Sequence, residues 1–169
     1  MLRPVDFETP FDMLLTTTFA DLPNLLVLEQ EPVTWLFLEV PDGDDAAQPG
    51  SIQQQAIEQM DGFMAHGLDR AVLARFANPA QAIGAWITLG SWTSPALRGG
   101  ASYGYGHRAD LVRLCTAEAA ALANIAGPGE LWISFEMTTI VDLNDSRFKV
   151  ESVDRGRLVP ASCKLTLRV

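Results

Sequence analysis

From Glu130 to the last residue the chain alternates apolar and polar side chains with a period of two, a pattern that strands satisfy and helices do not. Leu131, Ile133, Phe135 and Met137 point one way. Phe148 and Val150 resume the alternation beyond an Asn144-Asp145 turn, and Cys163, Leu165, Leu167 and Val169 oppose Lys164, Thr166 and Arg168. Three antiparallel strands in a meander are the natural reading, with Arg155-Gly156-Arg157 in the second turn.

Helical spacing dominates elsewhere. Thr9 and Pro10 open a stretch in which Phe11, Leu14, Leu15, Thr18, Phe19 and Leu22 return on one side until Pro23. Leu25–Leu28 and Val33–Val40 read as two strands, and Pro32, which cannot donate to a ladder, favours a strand end or edge. Residues 41–50 are turn formers with nothing to bury. Ser51 caps a predicted helix whose stripe is Ile52, Ala56, Met60, Phe63 and Met64, ended by Gly67. A further helix is expected from Asp69 to Ala77, broken by Asn78-Pro79. The apolar run 83–89 fits either a strand or a helix. The best helix runs from about His107 to Ala126, with Leu111, Leu114, Cys115, Ala119, Leu122 and Ile125 on one face and Gly127-Pro128 as its stop. The sum is an α+β fold, one domain over residues 1–169, with about four helices packed on one face of a mostly antiparallel sheet. At 169 residues such a domain hides roughly 70% of its unfolded surface, enough for a core without staples.

Charge is sorted along the chain. Thirteen carboxylates stand before residue 70 against one base, Arg3, so the net −9 belongs to the first two fifths. That balance repels phosphate backbones and argues against nucleic-acid binding. Ten of the twelve bases are arginine, the base better suited to planar pairing with carboxylates. The start lacks an apolar signal region, and nowhere do about 18 apolar residues run unbroken, so no membrane span and a cytoplasmic location are expected. Cys115 and Cys163 are expected as buried thiols, with a disulfide between them left open because sequence does not measure their separation.

Six of the thirteen glycines, with Trp86, Trp92, Tyr103 and Tyr105, fall between Gly84 and Gly106, which reads as a long glycine-rich connection. Within it Gly104-Tyr105-Gly106-His107-Arg108-Ala109 matches the letters of a GxGxxA phosphate loop and runs into a helix, where free N–H groups attract anions. The preceding residues, from Arg98 to Tyr103, read as loop where a dinucleotide fold needs a strand, and position 124 is Asn where it needs an acid. Arg98, Gly104, Gly106, His107 and Arg108 therefore form a candidate ligand site, with a plain connection as the competing reading. His107 is the acid/base candidate if the chain is an enzyme, and His66, before Gly67, reads as a helix-end cap. No cysteine or histidine spacing and no regular acidic loop supports a metal, and nothing calls for a cofactor.

Thirteen early acids have no reason to gather if they serve only to keep the chain dispersed. The leading expectation is a non-enzymatic acidic binding protein, of inhibitor, immunity or chaperone type, that shows a negative face to a basic protein partner. Asp42, Asp44, Asp45, Glu58 and Asp61 would supply the charge, and Trp92, Tyr103 and Tyr105 the central contacts. Two alternatives stand beside it: a small enzyme or anion-binding domain using residues 98–108, and a subunit of a homomeric or viral assembly.

Overall fold

The computed structural model describes residues 32–39, 51–68, 70–92, 97–105, 109–153 and 162–168. Seven strands form one sheet in the order β2-β3-β1-β4-β5-β7-β6: β1 (Pro32–Glu39), β2 (Phe63–Leu68), β3 (Ala71–Phe76), β4 (Arg98–Tyr105), β5 (Glu130–Ser134), β6 (Phe148–Val153) and β7 (Ser162–Leu167). Among the described residues four helices accompany them: α1 (Ile52–Gln59), α2 (Pro79–Trp92), α3 (Ala109–Ile125) and the single turn α4 (Phe135–Thr138). The α+β class and the mostly antiparallel sheet agree with the sequence expectation; the helices, expected on one face, cover both sides of the sheet, because the β4-α3-β5 crossover carries α3 to the side opposite α1 and α2. The expected helix from Phe11 to Leu22, the strand Leu25–Leu28, the loop 41–50 and the turn 155–157 lie outside the described residues.

Three local expectations are corrected. The stretch 71–76 is a strand: β3 lies between β1 and β2 and is buried on both faces, so it shows no alternation and mimics a helix by spacing. Asn78-Pro79 begins a helix instead of ending one. Asn78 Oδ1 accepts from the Ala80 N–H at 2.7 Å, and proline fills the first helical position, where its missing donor costs nothing. That helix absorbs the undecided run 83–89. The helix capped by Ser51, whose side chain accepts from Gln54 N, ends at Gln59, so Phe63 and Met64 belong to β2. His66 consequently sits at an irregularity of the edge strand β2 and not at a helix end.

The last three strands are antiparallel but do not form the expected meander: β7, third in sequence, is seated between β5 and β6, and Phe135 and Met137, expected on the first strand, fall in the helical turn α4. Helices cover both sides of the sheet. Under α1 and α2, Leu36, Leu38, Val72, Phe76, Ile133 and Leu165 pack with Ile57, Ile83, Trp86 and Leu89. On the opposite side Trp35, Phe37 and Leu73 pack with Val112, Ala119, Ala120 and Ala123 of α3. Ala119, Ala120 and Ala123 dominate the buried stripe of α3, with Val112 and Leu122 beside them, and Leu114, expected to face inward, is 65% exposed. The two cysteines are both free thiols: Cys115 packs on the α3 side and Cys163 with the α1/α2 core.

Candidate functional site

Strand β4 leads into α3, and α3 into β5, which lies parallel to β4 in a βαβ crossover. The residues from Arg98 to Tyr103, expected as loop, are this strand, hydrogen-bonded to β1 along its whole length. Its glycines have a packing reason. A Cβ on Gly100 would run into the backbone of α3 at Ala119 and Ala123, and one on Gly104 would strike Cys115 Sγ, so helix and strand approach as closely as backbones permit.

Between those glycines Ser102 faces the same helix, fully buried, and its hydroxyl donates to Glu118 Oε2. Burial pushes the Glu118 carboxyl above its ordinary value, the nearby Glu136 pushes the same way, and the Ser102 hydrogen bond opposes both. The Cys115 thiol is likewise pushed up, first by burial and then by Glu118. Neither acid nor thiol was legible as a site residue. The signal was present, because Glu118 stands on the apolar side of a helix at three residues from Cys115 and four from Leu114.

At the opposite end of β4, Arg98 and Glu39 are register partners, and the guanidinium holds the carboxylate, Nε to Oε2 at 2.5 Å. Both side chains are about one third exposed, at 37% and 34%, so the pair contributes little. Glu39→Gln is expected to lower unfolding free energy by less than about 1 kcal/mol, an effect that fades at high salt in urea titrations. A cost well above that would mean the pair is organised more tightly than its exposure implies.

The other sequence candidates are dispersed. Arg98 and Gly104 lie six positions apart on an extended strand, on the order of 20 Å, so the structure does not bring them together. Gly106, His107 and Arg108, like Asp42, Asp44 and Asp45, lie outside the described residues. Glu58 is exposed on α1 and accepts from Gln54 Nε2, and exposed Asp61 adopts φ 55° in the turn before β2. Trp92 is 48% exposed at the end of α2, Tyr103 packs partly buried against the α1/α2 core, and Tyr105 ends β4.

No protein-family model matches this chain, and no curated protein does. Its fold resembles the catalytic domains of nucleotide cyclases. The guanylate cyclase domain of RhGC from Catenaria anguillulae, in complex with GTP, aligns at TM-score 0.60 and 13% identity over 83% of this chain and 98% of that one. The catalytic core of a rhodopsin-guanylyl cyclase with converted specificity, in complex with ATPalphaS, gives 0.58 and 14% over 83% and 98%. An adenylate/guanylate cyclase/hydrolase from Silicibacter pomeroyi gives 0.55 and 17% over 84% and 100%. At these identities the likeness is one of fold.

These neighbours overturn the expectation of a non-enzymatic acidic binding protein of inhibitor, immunity or chaperone type, since they are catalytic domains matched over nearly their whole length. The basic protein partner falls with it. The physical reason is that linear charge segregation describes a field and leaves open which architecture carries it. Phosphoryl chemistry ordinarily employs a divalent cation held by carboxylates. Among the described residues no three His, Cys, Asp or Glu side chains converge to hold one, and Glu39 is already taken by Arg98, so the described residues do not fit a metal ion. No helix among them is long and apolar enough to cross a membrane.

Proposed function

We propose that this chain, as one domain over residues 1–169, is a cyclase-like enzyme that binds a purine nucleoside triphosphate where β4 turns into α3. The observation that carries this reading is fold likeness to cyclase catalytic domains across 82–84% of this chain and 92–100% of theirs. The topology supports the place. Ligands in sheets with parallel crossovers settle outside the carboxyl ends of the strands, and β4 and β5 are the parallel pair. A seventeen-residue helix starting there favours an anion at its first turn. In this reading Arg108 supplies charge, and His107 is the group suited to move a proton as the ribose hydroxyl attacks the α-phosphorus and pyrophosphate leaves.

Calorimetry with ATP and GTP, with and without a divalent cation, tests the binding, and chromatography of the products tests turnover. The expected result is saturable binding of at least one nucleotide and release of cyclic nucleotide and pyrophosphate. His107→Ala is expected to abolish turnover with the melting temperature nearly unchanged. Failure of the wild-type chain to bind either nucleotide overturns the reading, and full activity of the variant removes His107 from it.

A further inference from the structure

Across the sheet, on the side that α3 covers, Phe63 of β2, Arg75 of β3 and Trp35 of β1 stand directly opposite one another in register. Trp35 packs in the α3-side cluster, and register partners share a side, so all three side chains project from that surface. His66 stands opposite Leu73, a member of the same cluster, and so joins them diagonally from Arg75.

Arg75 and Trp35 bring donors to this group, while on the far flank Ser102, the register partner of Trp35, holds the Glu118 carboxylate. Trp35 is 2% exposed, and its indole Nε1–H, which can only donate, meets no acceptor among the described residues. His66 Nε2 is buried and likewise has no partner among the described residues. Arg75 is half-buried, and among the described residues its guanidinium has no carboxylate partner. By contrast Arg98, Arg147, Lys149 and Lys164 each meet an acid. A half-buried guanidinium whose register partner carries an unmatched N–H suits a planar, multi-oxygen anion, which accepts from several donors at once. Phe63, 54% exposed, forms an aromatic wall next to Arg75.

We propose that Arg75, Trp35 and His66 form an anion-binding position on the α3 side of the sheet that takes a phosphate or pyrophosphate group; that this group belongs to a nucleotide rests on the proposed function above. Arg75 is separated from β4 by β1, whereas Trp35 is the direct register partner of Ser102 on β4.

Calorimetry of the full chain with inorganic pyrophosphate, and separately with ATP and GTP, tests it. Wild type is expected to bind pyrophosphate with an affinity that falls as salt rises. Arg75→Gln is expected to weaken that binding at least tenfold, and Arg75→Lys to restore part of it. Trp35→Phe, which removes the N–H and keeps the bulk, is expected to weaken it several-fold and serves if Arg75→Gln does not fold. No pyrophosphate binding by wild type, or equal binding by Arg75→Gln and Trp35→Phe, overturns the position. Nucleotide binding that ignores Arg75 also sinks the position while leaving the proposed function standing. Arg75-dependent pyrophosphate binding with no nucleotide binding supports the position and sinks the proposed function.

Discussion

Gly100→Val is expected to cost about 3 kcal/mol or more, a large part of the 5–15 kcal/mol that holds a typical domain together. The side chain would enter the seam where α3 lies against β4, and the obstacle is the helix backbone at Ala119 and Ala123, which no rotamer change relieves. To accept it α3 must lift, and lifting separates Val112, Ala119, Ala120 and Ala123 from Trp35, Phe37 and Leu73. Gly104→Ala meets only the Cys115 sulfur, an atom that rotates, so its cost is expected to be smaller. Urea titration checks both through the midpoint at constant slope. A midpoint for Gly100→Val within error of wild type would mean that α3 does not seat directly on the β4 backbone.

The same seam explains why the middle of the chain resisted sequence reading. A strand normally declares itself by branched and aromatic residues, yet β4 reads Arg-Gly-Gly-Ala-Ser-Tyr-Gly-Tyr because close helix contact selects against side chains on that side. Glycine therefore marks contact here, and composition made it look like a connection. Strand β3 hid for the opposite reason: with both faces covered, Val72, Leu73 and Phe76 lose the period of two. Where one face is solvated, as along β6 and β7, alternation survived and the strands were legible, although their order was not, since β7 enters between its predecessors through pairing that no local pattern encodes. The site was less legible still. Ser102 meets Glu118 across sixteen positions, and Arg75 meets Trp35 across forty, separations that only the assembled sheet closes. Charge bias, the most visible property of the sequence, bore on neither.

Glu118→Gln is expected to raise stability at pH 7 and leave it unchanged at pH 3. The folded protein holds this carboxyl above its ordinary 4.5, so folding favours its proton. The cost of the ionised form is therefore absent below the unfolded value and fully felt once pH has risen past the folded one. Glutamine removes the charge and keeps an oxygen for the Ser102 hydroxyl, so the variant escapes a penalty that wild type meets only when ionised. Because the carboxyl is only about half buried, solvent screening limits the gain at neutral pH to about 1 kcal/mol. Burial is the first cause and Glu136 a further one, so Glu136→Gln is expected to recover only part of it. Cys115 offers an independent readout. Its thiol is raised first by burial and then by Glu118, and thiolate is the reactive form, so alkylation of Cys115 at pH 8 is expected to quicken in Glu118→Gln. Urea titrations at the two pH values decide the matter. An equal difference between variant and wild type at pH 3 and pH 7 would show that Glu118 titrates as a solvated carboxyl and does not sense its seat between β4 and α3.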